Sequence, residues 1–227
     1  MDLRPKRYLS LFVRYNALYS KYKDCTMVAR RNFIENLVLA RLAVDNPALG
    51  DGAIIECGTW KGGMSAALIE ACGRDRSYVF FDSFEGLPPA GEHDGDRAKA
   101  YQADKSSPKY FDNCAASVGE FKATLDRAGK TTTPVDIRQG FFSESFKTFP
   151  PPPIAVLRLD ADWYDSTMQC LTHFWDSVMP GGLILIDDYY SWDGCSRAVH
   201  DFLSSCKSNE HIKQGPLGRV AYISKRT

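Results

Sequence analysis

AIIECGTWKGGMS, residues 53–65, decides the fold. Its apolar start, AIIEC at 53–57, reads as a strand. Gly58 follows at once and permits a tight turn, and Gly62-Gly63 opens a helix expected over 62–72. A second apolar run, YVFF at 78–81, leads into Asp82, where an acidic side chain at a strand end can accept hydrogen bonds from both ribose hydroxyls of a nucleoside. The glycine spacing is not G-x-G-x-x-G, and Glu56 precedes the first glycine, which favours an adenosyl ligand over a pyrophosphate-bearing dinucleotide. A glycine turn with no ligand is the alternative.

Working outward, further strands are predicted at 135–137, 154–159, 183–186 and 220–223, with helices at about 114–128, 165–178 and 195–206. Strands alternating with helices imply an α/β fold, a mostly parallel sheet with helices on both faces. Ligands of such sheets lie beyond the carboxyl ends of the strands. Residues 1–50 read as an N-terminal helical extension or lid and 51–227 as the main domain. Tyr8, Phe12, Tyr15, Tyr19 and Tyr22 mark one face of a first helix, and a second runs from Val28 to Val44. That aromatic stripe packs on the domain or on a partner subunit, with a membrane-surface helix as the alternative. The polar stretch 84–112 interrupts the rhythm and is expected to be an active-site lid.

The chain has 227 residues, enough for one compact domain, and equal numbers of basic and acidic residues, 28 each. The absence of a basic surplus argues against nucleic acid as a partner. Seven dispersed cysteines with no C-x-x-C pair suit a reducing cytoplasm. The apolar stretch after the basic RPKR run stops at Arg14, too short for a signal peptide or membrane span. A homo-oligomer is expected, with the aromatic helix as a candidate contact.

Two strand ends carry paired acids: Asp160 and Asp162 in LRLDADWYDST, and Asp187 and Asp188 in LILIDDYY. If the strands are neighbours, Asp160, Asp187 and Asp188 converge. Three uncompensated carboxylates repel unless a cation sits among them, and an all-oxygen set favours Mg²⁺ or Mn²⁺ over Zn²⁺. Such a cation lowers the pKa of a bound substrate hydroxyl. The bland alternative is helix capping, which Asp165-Ser166 could supply.

TMVARR near residue 26, ECGTWKGGMS, DSFEGLP at 82–88, LRLDADWYDST at 157–167 and LILIDDYY at 183–190 together resemble the macrocin O-methyltransferase family, from about Cys25 to the last strand. The resemblance implies a Rossmann-like class I methyltransferase fold with a seven-stranded sheet. It also implies S-adenosylmethionine and Mg²⁺ as cofactors and a small-molecule hydroxyl acceptor, such as a sugar. By position, Asp160, Asp187 and Asp188 resemble the metal ligands, with Asp160 and Asp162 catalytic. Glu56, Gly58, Thr59, Gly63, Ser65, Asp82, Ser83, Gly140, Phe141 and Asp160 fall in the cofactor site. The macrolide branch has a catalytic histidine in the insertion, whereas this chain has Gln102, preceded by Tyr101, and His93 lies on the wrong side of Gly95-Asp96-Arg97. Proton removal then passes to Asp162 or a metal-bound hydroxide. Other readings are a phenol or catechol methyltransferase, a glycosyltransferase using the DxD, and a noncatalytic binding domain.

Overall fold

The computed structural model describes residues 5–132 and 135–226; Arg4 of the basic run, like residues 1–3, 133–134 and 227, lies outside the described residues. Seven strands form one sheet in the order β3-β2-β1-β4-β5-β7-β6: β1 (Ala53–Cys57), β2 (Tyr78–Asp82), β3 (Asp136–Gln139), β4 (Ile154–Leu159), β5 (Val178–Ile186), β6 (Lys213–Gln214) and β7 (Ala221–Ser224). The first five pair in parallel, and β7 runs antiparallel to β5 and β6. Every residue of β1 and β4 is buried, which explains their nearly unbroken apolar runs.

The pleat divides the core. Ile54, Phe80, Val156 and Leu185 face α1 (Pro5–Tyr22), α2 (Arg30–Val44), α3 (Gly63–Cys72) and α5 (Val118–Asp126). Ile55, Phe81, Leu157 and Ile184 face α6 (Phe142–Ser145), α7 (Tyr164–Phe174) and α8 (Asp193–Ser205). The aromatic stripe of α1 is covered by its own chain. Tyr8, Tyr15 and Tyr22 are buried, Tyr8 donates to Glu35 and Tyr22 to Glu70, and Tyr19 meets Phe33 edge-on.

Several boundaries differ from expectation. The helix expected at about 114–128 begins only at Val118, where Ser117 and Glu120 form a reciprocal capping box. β5 begins at Val178, and its first half, VMPGG, lacks an apolar run. Two-residue β6 is exposed and leaves no hydrophobic signal. The insertion is not a bare loop: it contains α4 (Gly95–Ala103), of which only Ala98 is buried. Asp165 does not cap α7; the first amide of that helix, on Tyr164, donates instead to Asp94 of the insertion at 2.6 Å. Among the described residues, no helix is long and apolar enough to cross a membrane.

Candidate active site

The carboxyl ends of β1, β2, β4 and β5 open into a cavity of about 560 Å³, within the range of small-molecule sites. Its wall includes Gly58, Thr59, Asp82, Ser83, Phe141, Asp160, Asp162, Asp187 and Asp188, together with residues 26–29 between α1 and α2 and Asn32 on α2. Trp60, Phe84 and Asp162, beyond the ends of β1, β2 and β4, take left-handed backbone at φ 48°, 59° and 54°. Such strained positions cluster at functional sites.

On the nucleoside side, Asp82 accepts hydrogen bonds from the Thr59 and Trp60 amides at 2.7 and 2.8 Å through one oxygen. Its other oxygen accepts from the Phe84 amide at 2.7 Å. The carboxylate is thereby fixed at the cavity edge. The glycines serve the chain's own backbone. A Cβ on Gly58 would collide with the Asp160 carbonyl oxygen, and one on Gly63 with the Cys25 carbonyl. Gly63, Ser65 and Gly140 are not among the residues lining the cavity. Cys25 covers Gly63, and Ser65 is fully buried and donates to Glu56.

The acidic side shows what sequence reasoning missed. Glu56 and Arg158 stand opposite each other in the β1–β4 register, both wholly buried, and bond at 2.7 Å. The same guanidinium reaches Asp160 at 3.0 Å and Asp187 at 3.2 Å. The carboxylates are therefore partly compensated, which corrects the premise that they stand without a counter-charge. One charged residue inside each of two otherwise apolar neighbouring strands was the available signal. Burial acts to lower the basicity of Arg158, but Asp160, Asp187 and Glu56 reverse this and hold it firmly charged.

One guanidinium does not balance the cluster. Asp188 is pushed well above the usual carboxylate range by burial and then by Asp162, Asp160 and Asp187. Asp162 is raised likewise, by burial and then Asp160. Asp187 is raised by burial, with Arg158 opposing. Asp160, Asp187 and Asp188 each bring an oxygen within 4.8 Å of the other two. That donor set fits a hard divalent cation, all oxygen and short of positive charge. Asp162 does not join the trio; its Oδ1 accepts from Trp192 Nε1 at 2.9 Å. The Asp-x-Asp pair is thus divided, Asp160 standing with Asp187 and Asp188 and Asp162 bonded to Trp192.

Above Asp162, Trp163, Trp192 and Tyr101 pack edge-on, with ring centroids 5.0 to 6.4 Å apart. Gln102, at the expected histidine position, is spent on the insertion: it donates to the Pro88 carbonyl and Asn113 and accepts from the Ala90 amide. Tyr101 lines the cavity, but its hydroxyl donates to the Tyr110 carbonyl at 2.8 Å and burial raises its pKa. His93 stacks near Tyr164, 4.4 Å between centroids, and is not among the lining residues.

A sheet of this order, with an acid at the end of β2 and a cavity over the ends of β1 and β4, defines the class I methyltransferase fold. Residues 19–221 match the family described as Macrocin-O-methyltransferase (TylF), and the chain belongs to that family. It is 33% identical over 157 residues to a tetracenomycin-C 4'-O-methyltransferase of Streptomyces olivaceus, covering 66% of this chain and 58% of that protein. It is 32% identical over 164 residues to mycinamicin III 3''-O-methyltransferase of Micromonospora griseorubida, covering 68% and 63%. The matched part thus spans about three-fifths of these relatives' length. Among solved structures, the O-methyltransferase NovP superposes with a TM-score of 0.69 at 26% identity, over 86% of this chain and 81% of that one. A caffeoyl-CoA O-methyltransferase-like protein from Staphylococcus aureus shares the fold alone, with a TM-score of 0.60 at 13% identity and full coverage of both chains.

Proposed function

We propose that this chain transfers the methyl group of S-adenosylmethionine to a hydroxyl of a sugar moiety or another polyhydroxylated small molecule, with Mg²⁺ or Mn²⁺ bound at Asp160, Asp187 and Asp188. The observation that carries the proposal is the convergence of those three carboxylates at one end of the cavity whose other wall holds Asp82. Relatives that act on sugar groups of natural products support the acceptor class.

The chain's own residues divide the work. Asp82, Gly58, Thr59, Ser83 and Phe141 form the adenosyl side, and Asp82 offers the ribose its remaining acceptor capacity. A bound divalent cation would acidify and orient the acceptor hydroxyl. Asp162 is the proton acceptor: Trp192 fixes its orientation, and burial raises its basicity. Trp192 and Tyr101, braced by the buried Trp163, present apolar ring surface to a sugar. The insertion, docked by Asp94 and held together by Gln102, excludes water from that wall.

The test measures methyl transfer from S-adenosylmethionine to a panel of glycosylated natural products and simple catechols, with and without EDTA. Transfer to a sugar hydroxyl, lost in EDTA and restored by Mg²⁺, is expected. Full activity in excess EDTA would sink the metal, and transfer to catechols alone would sink the sugar. A structure with S-adenosylhomocysteine and Mg²⁺ would locate both ligands directly.

A further inference from the structure

In each of the three clustered carboxylates one oxygen faces a partner inside the protein, an ion-pair contact for Asp160 and hydrogen bonds for Asp187 and Asp188. Arg158 Nη2 stands 3.0 Å from Asp160 Oδ2. Asp187 Oδ1 accepts from Asn36 Nδ2 at 2.7 Å and faces Arg158 Nη2 at 3.2 Å. Asp188 Oδ2 accepts from the Asp162 amide at 3.1 Å. Among the described residues, Asp160 Oδ1, Asp187 Oδ2 and Asp188 Oδ1 have neither a hydrogen-bond donor nor an ion-pair contact.

Asn36 is the unexpected member. It lies on α2, in the N-terminal extension, and is wholly buried. Its amide nitrogen also donates to the Asn32 carbonyl at 2.9 Å. Both partners of that nitrogen are acceptors, so the amide can point only one way. Its Oδ1 is buried without a partner, so the amide is held by its donor side alone. A neutral donor is spent here on the back of a carboxylate that faces the cavity.

We propose that Asn36 and Arg158 are positioning residues of the cation site, holding the carboxylates so that Asp160, Asp187 and Asp188 each offer the cation a single oxygen, and that the site accordingly prefers Mg²⁺ or Mn²⁺ to Ca²⁺. This rests on the cation-dependent reading above. Ca²⁺ takes six to eight oxygens, commonly both from one carboxylate, whereas Mg²⁺ demands six in a tight octahedron. Three single oxygens suit the smaller ion and starve the larger one. Outer partners that orient a ligand are typically worth about 10- to 100-fold in metal affinity.

The experiment titrates the full chain with Mn²⁺ in the absence of acceptor, reading free Mn²⁺ by electron paramagnetic resonance, and then competes with Mg²⁺ and Ca²⁺. In the unmodified chain, Ca²⁺ should displace Mn²⁺ at least about tenfold less well than Mg²⁺. Asn36→Leu, similar in volume but unable to donate, should weaken Mn²⁺ binding about tenfold and narrow the Mg²⁺ to Ca²⁺ gap. Its affinity for S-adenosylhomocysteine should stay unchanged, a control that a general loss of structure would not pass. No Mn²⁺ binding by the unmodified chain would overturn the metal reading itself. Mn²⁺ binding with equal Mg²⁺ and Ca²⁺ competition would overturn this inference alone, as would an Asn36→Leu chain with unaltered affinities. Should Asn36→Leu not fold, the metal competition in the unmodified chain decides.

Discussion

Arg158→Met removes the guanidinium that faces Glu56 across β1 and β4. Glu56 is 0% exposed; one of its oxygens bonds Arg158 at 2.7 Å and the other accepts from Ser65. Water cannot replace the lost partner. Removing one member of a buried ion pair costs about 3–5 kcal/mol. For a chain of this size that corresponds to a fall of about 6–20 °C in thermal midpoint. The loss should vary with pH. Burial already pushes Glu56 up to about 7 against the pull of Arg158, and without that pull it rises further. The folded value then lies above the unfolded value of about 4.3, so the folded state binds the extra proton between them. Stability of the variant therefore falls as pH rises from the unfolded value through the folded one, and the damage is smaller near about pH 6 than near about pH 8. Glu56→Gln added to Arg158→Met removes the orphaned charge on Glu56, though not those on Asp160 and Asp187, and should recover about 0.5–3 kcal/mol, the size of coupling found for contacting groups. Urea denaturation followed by far-ultraviolet circular dichroism measures all three chains. A loss below about 1 kcal/mol in the single variant, the scale of an exposed pair, would refute the reasoning. So would a double variant no more stable than the single one.

Asp188→Asn should lower kcat/KM at least about 100-fold, or about 2.7 kcal/mol of transition-state stabilisation, while calorimetry shows S-adenosylhomocysteine still binding. Metal-free protein should lose thermal stability as pH climbs from about 4, because Asp162, Asp187 and Asp188 bind protons more tightly folded than unfolded. Added Mg²⁺ binds the deprotonated carboxylates, so its effect on the midpoint should be larger near pH 8 than near pH 5.5, about two and a half units lower; scanning fluorimetry at both reads this directly. Gln102→Ala cuts three hydrogen bonds that tie the insertion together. Limited proteolysis between residues 88 and 113 should quicken in line with about 1–3 kcal/mol of easier local opening, with little change in global midpoint. An unchanged cleavage rate would leave Gln102 without that role.

Much of this was legible in the sequence because parallel strands buried on both faces must be apolar nearly throughout. AIIEC, YVFF and IAVLRL announce β1, β2 and β4 for that reason, and the acids that follow β4 and β5 stand where the sheet edge opens. The reading failed where local pattern carries no information. β6 is two exposed residues recruited by β7, and α4 buries one alanine, so neither has a hydrophobic stripe. The glycines were legible as requirements but not as to what approaches them: at Gly58 and Gly63 it is the chain's own carbonyl oxygens.

By itself, then, the sequence determined the α/β layering and the pairs of acids at strand ends, since both depend on residues close together in the chain. Only the tertiary structure decided how those acids are employed. Lateral pairing of β1 with β4 sets Arg158 against Glu56, and packing of α2 on the sheet brings Asn36 to Asp187, 151 positions along the chain. Packing of the insertion on α7 and α8 gives the Asp94 carboxylate to a helix amide and leaves Gln102 holding loops together. Contacts of that kind arise from burial and register summed over the whole fold, and no local stretch of sequence contains them.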